Sequence, residues 1–139
     1  MNYEIISKYI KDISFEIPSA ETFVMLDKEI PKYNLVFDVQ SKPFKKNILE
    51  VNTILKLIAK DEVKKKIHVE ISVSALISLK DEIKDKKVLE RIILVQVPKD
   101  IYPMLYETFI YLFSKSGMKN ISISKDVDFE KLYNERKKN

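Results

Sequence analysis

The strictest pattern in the sequence is the alternation that runs from Lys66 to Leu79. Every second residue of this stretch is apolar, and the positions between them are polar except at Leu76. The apolar set is Ile67, Val69, Ile71, Val73, Ala75, Ile77 and Leu79. A period of two puts alternate side chains on opposite faces of a β-strand. One apolar and one polar face is typical of an antiparallel sheet that is covered on one side only.

Three earlier stretches repeat the same period. We predict strands over Tyr9–Ile17, between Pro31 and Pro43, and over Ile48–Ala59. A charged turn at Lys60, Asp61 and Glu62 then joins the third of these to the strand at Lys66–Leu79. The first two thirds of the chain therefore predict a β-sheet built from neighbouring antiparallel strands.

The last third of the chain changes to a helical period. We predict a helix over Pro103–Ser116, started by Pro98 and Pro103 and stopped by the single glycine, Gly117. A second helix is expected from Phe129, with Asp128 as its N-cap. The run Ile92–Val97 fits a buried strand or a buried helix equally well.

Strands followed by helices indicate an α+β fold. No linker, repeat or low-complexity block divides the 139 residues, so we expect a single domain over residues 1–139. A domain of this size can bury roughly two thirds of the surface of its unfolded chain in one core.

Missing residue types exclude several classes of function. The chain has no cysteine, one glycine and one histidine. Thiolate metal sites, disulfides and glycine-rich phosphate loops are therefore excluded. His68 lies on the polar side of its strand and has no nucleophile within reach, so we interpret it as a solvated side chain. We expect no enzymatic activity, no cofactor and no metal site.

No segment of the sequence resembles a targeting or membrane-spanning stretch. Residues 1–10 contain Glu4 and lack the basic flank of a signal peptide. The longest uncharged apolar run, Ile92–Pro98, is far shorter than the ~20 residues of a membrane span. We expect a soluble cytoplasmic protein that does not insert into membranes.

Clusters of lysine raise nucleic-acid binding as an alternative function. The chain carries 25 basic against 21 acidic residues, with runs at Lys64–Lys66 and Arg136–Lys138. Arg91 and Arg136 are the only arginines, whereas base reading depends on arginine and single-strand binding on clustered aromatic residues among basic ones. The lysines are also interspersed with acids, so a nucleic-acid-binding module is the less favoured interpretation.

Aromatic residues are the main surplus of the composition. The chain has seven tyrosines and seven phenylalanines, and the predicted helix over Pro103–Ser116 is apolar on nearly all sides. A single small domain covers such a helix with difficulty. We therefore expect either oligomerisation or an apolar ligand.

Several segments resemble the SecB family of export chaperones. Tyr9–Pro18 is similar to the family's first-strand signature Y-x-K-D-x-S-F-E-x-P, and Ile67–Leu79 to its third strand. Pro98, Pro103 and Glu107 match a P-x-x-x-x-P-x-x-x-E helix motif. Asp128-Phe129 and Leu132-Tyr133 are similar to the family's closing N-F-D-x-L-F.

This resemblance implies a four-stranded antiparallel sheet packed against one long and one short C-terminal helix. It implies a homotetramer, as a dimer of dimers, that binds unfolded polypeptides without ATP and passes them to the motor ATPase SecA. The implied peptide groove has the lining Tyr33, Leu35, Phe37, Ile67, Ile71, Met104, Phe109 and Tyr133. The implied SecA-docking acids are Asp12, Glu16 and Glu70. A SecB-like chaperone dedicated to one client, such as an antitoxin, remains an alternative.

Overall fold

A four-stranded antiparallel sheet with helices packed on one face forms the molecule. The computed structural model describes residues 2–80, 83–118 and 121–138, with side chains described as far as Arg136. In chain order the elements are β1 (Tyr3–Glu16), α1 (Ala20–Glu29), β2 (Tyr33–Lys45), β3 (Ile48–Ala59), β4 (His68–Leu79), α2 (Lys86–Arg91), α3 (Val97–Ser116) and α4 (Phe129–Lys138). The predicted α+β fold with a four-stranded antiparallel sheet is confirmed.

The strand order is β1-β4-β3-β2, so β1 and β2 are the two edges of the sheet. The β2–β3 and β3–β4 pairs are neighbours in the chain, whereas β1 crosses over to pair with β4. The β1–β4 register shifts twice, between Ile5 and Ser7 and between Ile10 and Asp12. These bulges bend and twist the edge strand.

The apolar face of β4 forms the centre of the core. Val69, Ile71, Val73, Ala75 and Ile77 are at most 1% exposed. Helix α3 packs against this face with Ile101, Leu105, Phe109 and Phe113, all completely buried. The alternation in the sequence therefore predicted both the strand and the face that it buries.

The face of the sheet opposite the one that packs against α3 is less exposed to solvent than the alternation predicts. Ser72 and Ser74 are buried at the centre of β4, together with Asn52 and Glu50 of β3. Register pairs Asn52 with Ser74, and the Ser72 hydroxyl donates to Asn52 Oδ1 over 2.5 Å. These polar side chains satisfy one another, which is why they tolerate burial.

The run that the sequence left unassigned is helical. Residues Ile92–Gln96 form a π-helical segment between α2 and α3, in which the Val97 amide donates to the carbonyl of Ile92. Proline has no amide hydrogen and its ring clashes with the carbonyl four residues earlier in an α-helix. The wider π turn before Pro98 relieves this conflict by changing the hydrogen-bond pattern.

The long helix begins earlier than the prolines predicted. Helix α3 starts at Val97, so Pro98 is its second residue and Pro103 lies inside it. Its predicted end is confirmed, because Gly117 follows Ser116 with φ of 101°. The positive φ favours glycine, and a Cβ at this position would also lie 3.1 Å from the Phe23 ring, which would have to shift slightly.

Two features near the N-terminus were not predicted. Strand β1 begins at Tyr3, six residues before the predicted start at Tyr9. Helix α1 follows Ser19, whose hydroxyl accepts from the Thr22 amide at 3.1 Å as an N-cap. Four apolar residues follow one another from Phe23 to Leu26, and this unbroken run hides the helical spacing of the buried Thr22 and Leu26.

Candidate functional site

A solvent-open groove of about 490 Å³ runs between the edge strand β2 and helix α4. One wall consists of consecutive residues of β2, and the other of one side of α4, with Leu94 of the π-helical segment between them. The lining residues are Leu35, Val36, Phe37, Asp38, Val39, Leu94, Phe129, Leu132, Tyr133, Glu135 and Arg136.

Helix α4 is positioned by its own N-terminal residues. The Asp128 carboxylate accepts from the Lys131 amide at 3.0 Å, which confirms the predicted N-cap. The helix places Phe129 and Tyr133 against the core, where both are buried, and leaves Leu132 40% exposed beside the groove. Phe129, Leu132 and Tyr133 therefore form part of the wall of the groove.

Aromatic rings form the floor beside α4. The Phe37 ring meets the Phe129 ring edge-on at 5.3 Å between centroids and the Tyr102 ring at 5.7 Å. The Tyr102 hydroxyl donates to the carbonyl of Ser124, and burial raises the pKa of Tyr102. Edge-to-face rings interlock in a fixed arrangement, so this floor keeps its shape.

Charged side chains hold α4 against helix α2. The Arg91 guanidinium forms a two-pronged ion pair with the Glu130 carboxylate, at 2.5 and 2.6 Å. The Tyr133 hydroxyl donates to Glu90 Oε2 at 3.1 Å, and the Arg91 guanidinium lies 5.9 Å from the centre of the Tyr133 ring. The hydrogen bonds from Arg91 lower the pKa of Glu130. We call this set of contacts the Arg91 clamp.

The structure brings three of the eight expected groove residues together in this groove. Leu35, Phe37 and Tyr133 line it. Tyr33 and Ile67 lie in the core, where the Tyr33 hydroxyl accepts from the Ile67 amide at 2.9 Å.

The other three expected residues lie under or along α3. Ile71 and Phe109 are completely buried between β4 and α3, and Met104 is half-buried on α3. A periodic pattern of apolar residues shows which face of a strand or helix is buried. It does not show at which residue the neighbouring element stops covering that face. The exposed Val36 and Leu132 and the half-buried Leu94 were missed for this reason.

The three expected docking acids share the open face of the sheet. In the β1–β4 register Glu70 faces Ser14, between Asp12 and Glu16. Glu70 is partly neutralised, because its carboxylate lies 3.6 Å from Lys56 Nζ. The acidic character of this face therefore rests mainly on the two β1 acids.

Sequence reasoning missed a buried carboxylate on the same face. Glu50 Oε2 accepts hydrogen bonds from Tyr9 at 2.6 Å, Lys11 at 2.8 Å and Ser74 at 2.8 Å. Lys42 Nζ lies 3.7 Å from the other oxygen. These contacts, led by the bond from Lys11, lower the pKa of Glu50 to about 2. We call this set of contacts the Glu50 network.

The described residues contain neither a metal-binding cluster nor a membrane-spanning helix. No cluster of acidic or histidine side chains among them could hold a metal ion. No helix in the described part of the chain is long and apolar enough to cross a membrane.

Comparisons with known proteins identify the family of the chain. The family model described as "Preprotein translocase subunit SecB" matches residues 1–139. The chain belongs to the SecB family. A putative protein-export protein SecB of Pelagibacter ubique is 42% identical over 97% of this chain and 96% of its own length. A protein-export protein SecB of Rhodospirillum centenum is 26% identical, over 91% of this chain and 74% of its own length.

A solved structure shows the same fold. The SecB-like chaperone of Mycobacterium tuberculosis, in complex with a ChAD peptide from the HigA1 antitoxin, superposes with a TM-score of 0.67. The match covers 91% of this chain and 88% of that protein, at 12% identity. At this identity the likeness is one of fold.

Proposed function

We propose that this SecB family member holds unfolded polypeptides for export, without ATP, in the groove between β2 and α4. The apolar groove beside an edge strand is the observation that carries the proposal. Proteins of the SecB family are chaperones and not enzymes. We place this activity in the cytoplasm, where precursors are held before export.

The edge position of β2 offers a client more than apolar contacts. Residues 35–39 line the groove without a gap, so the outer edge of the strand borders it. An edge strand has backbone groups that no neighbouring strand satisfies. An extended client can therefore pair with β2 as an added strand while its side chains reach the groove. Backbone pairing is independent of client sequence.

The apolar lining adds affinity with little discrimination between clients. Burying one large apolar side chain contributes about 1.5–3 kcal/mol. Leucine, isoleucine, methionine and phenylalanine all fall in this range, so many unfolded segments fit. Non-native chains expose such side chains, whereas folded proteins bury them.

Substitution of the groove rim tests this site. Leu132→Asp and Val36→Asp place a charge where the client's apolar side chains would lie, and both positions are already 40% exposed. We expect client affinity to fall about tenfold or more, because one apolar contact is lost and a carboxylate is desolvated. The measurement is suppression of aggregation of several unrelated denatured proteins, with affinities from titration calorimetry.

Val24→Asp is the matched control, since Val24 is 73% exposed on α1, away from the groove. Equal holdase activity in the groove variants and the control would contradict the site. Capture of one client alone, at high affinity, would indicate the dedicated chaperone rather than the general one.

We also propose that the protein assembles as a homotetramer of two dimers. The other edge strand, β1, exposes Ile6, Ile10 and Ile13 by 41–52%. A second copy of the chain would cover these side chains and pair the free edge. The groove lies on the opposite edge of the sheet and stays open in such an assembly.

The docking acids support a further partner, the SecA ATPase. Asp12 and Glu16 lie on the open face of β1, where a basic surface of SecA can approach them. Asp12→Lys with Glu16→Lys should weaken SecA binding at least tenfold in a pull-down or calorimetric titration and leave client capture unchanged. The control is Asp61→Lys with Glu62→Lys, in the exposed turn before β4. Equal SecA binding by both double variants would contradict the assignment.

A further inference from the structure

The tip of the β2–β3 hairpin presents an exposed phenylalanine among lysines. The segment from Ser41 to Asn47 has the sequence SKPFKKN, and each of its residues is exposed. Phe44 is 57% exposed, in a protein whose largest buried side chains are phenylalanines. We call these seven residues the hairpin tip.

Backbone geometry sets Phe44 apart from the rest of β2. In the β2–β3 register Pro43 pairs with Leu49 and Lys45 with Ile48, so Phe44 is the extra residue of a bulge. Bulges redirect a side chain out of the regular alternation of a strand. Asn47 then closes the hairpin with φ of 60°, a conformation that asparagine tolerates. The exposure of Phe44 is thus built into a tight hairpin.

The charged residues of the hairpin tip, which surround the Phe44 ring, are all positive. Lys42, Lys45 and Lys46 accompany Phe44, and the hairpin tip contains no acid. Lys45 Nζ lies 5.3 Å from the centre of the Phe44 ring. Within the part of the chain that the structure describes, neither Lys45 nor Lys46 forms an ion pair.

A fourth lysine lies at the same end of the sheet. The Leu79 amide donates to the carbonyl of Asn47 at 2.8 Å, which places the exposed Lys80 next to the hairpin tip. A protruding ring surrounded by compact positive charges complements a surface that is anionic outside and apolar beneath.

We propose that the hairpin tip docks on an anionic lipid surface. The Phe44 ring enters the boundary between head groups and acyl chains, and Lys45 and Lys46 contact lipid phosphates. Base reading depends on arginine and single-strand binding on several stacking rings, whereas the hairpin tip has lysines and one ring. Lipid is therefore favoured over nucleic acid.

The location of the hairpin tip permits this contact together with assembly through β1. It belongs to the edge opposite β1, so copies that associate through β1 leave it free. Each contact is weak, since one ring and a few lysines give only reversible attachment. Several copies in one assembly would bind together with higher avidity.

Sedimentation with lipid vesicles tests the proposal on the full chain. The vesicles are phosphatidylcholine alone or phosphatidylcholine mixed with phosphatidylglycerol. We expect binding to the mixed vesicles only, and a loss of about 20-fold or more in Lys45→Glu with Lys46→Glu, at about fivefold per lysine. The matched control is Lys64→Glu with Lys66→Glu, both exposed and with the same change of charge.

A fluorescent reporter tests the ring itself. The chain has no tryptophan, so Phe44→Trp supplies a single probe at the hairpin tip. Its emission should shift to the blue on addition of mixed vesicles, whereas that of Tyr111→Trp, at a 60% exposed site on α3, should not change on addition. Unchanged emission of the Phe44 probe would show that the ring does not enter the lipid.

Three other outcomes would overturn the proposal. These are absence of vesicle binding, equal loss in both double-glutamate variants, and hairpin-dependent binding of an oligonucleotide in place of vesicles. Aggregation suppression by the Lys45→Glu, Lys46→Glu variant should be unchanged, so this test is independent of the groove.

Discussion

Single side chains decide how the open face of the sheet is held together, and Glu50 is the main example. Its carboxylate is buried, yet it accepts three hydrogen bonds from neighbouring strands. The hydrogen bonds to Glu50 raise the pKa of Tyr9 and of Lys11 and lower that of Glu50. All three shifts are those expected when the Glu50 carboxylate is charged and accepts these hydrogen bonds. The Glu50 network therefore connects β1, β3 and β4 through side chains as well as through the backbone.

The Glu50 network makes stability depend on pH. The pKa of Glu50 falls from about 4.5 to about 2 on folding. A depressed acid pKa contributes stability above the unfolded value and loses it as pH falls through the folded one. Glu50→Gln should lower the free energy of unfolding by about 1–3 kcal/mol at neutral pH, and the difference should shrink between about pH 4.5 and 2.

Urea unfolding across that pH range measures the effect. Glu62→Gln, in the exposed turn before β4, serves as the control and should follow the wild-type curve. A difference between Glu50→Gln and wild type that stays constant down to pH 2 would contradict this account.

At the scale of elements, α4 depends on the Arg91 clamp for its position. Helix α4 forms one wall of the groove. Arg91 contacts this helix through an ion pair with Glu130 and through the ring of Tyr133. The pair is about half exposed, so its contribution to global stability is about 1 kcal/mol or less. The main effect of the pair is local, because it makes detachment of α4 from the groove less frequent.

Arg91→Met should therefore accelerate amide hydrogen exchange in α4 several-fold and leave exchange in β3 and β4 unchanged. Global Tm should fall by no more than about 2–4 °C. Lys87→Met on α2 is the matched control, and the exchanged pair Arg91→Glu with Glu130→Arg should restore protection. Uniform acceleration across the sheet would argue against a local clamp.

The elements also show how far sequence reasoning reaches. Alternation located β3 and β4 to within two residues, because one face of each strand is buried along its whole length. It missed the start of β1, where edge position and bulges blur the period. It also missed α1, where the unbroken apolar run from Phe23 to Leu26 hides the helical spacing of the buried residues.

The groove was predicted only in part, for a related reason. Of the residues expected in the groove, Leu35, Phe37 and Tyr133 line it. The residues that stay exposed, Val36 and Leu132, depend on where α4 stops covering β2. That boundary depends on how α4 packs in the folded protein, and the periodic pattern of the sequence does not show it.

At the scale of the whole molecule, the two edges of the sheet expose different surfaces. Edge β1 is bulged and carries exposed isoleucines, whereas edge β2 borders the groove. An unpaired edge strand with exposed apolar side chains tends to pair with another chain. The proposed assembly would use β1 and the proposed client site β2, so the two surfaces would be separate within one sheet.

Ile10→Lys with Ile13→Lys should therefore reduce the tetramer to smaller species, since two lysines would be buried without partners. Light scattering coupled to size exclusion gives the mass directly. Val24→Lys on α1 is the control and should leave the mass unchanged. A wild-type chain that elutes as a monomer at micromolar concentration would contradict the proposed assembly.

The π-helical segment makes the groove sensitive to chain length. Loss of one residue from Ile92–Gln96 would allow a continuous α-helix and would turn α2 by about 100° relative to α3. Arg91 would then point away from Glu130, and α4 would lose its anchor. Insertions and deletions at this point would therefore alter client capture more than most replacements of the same residues.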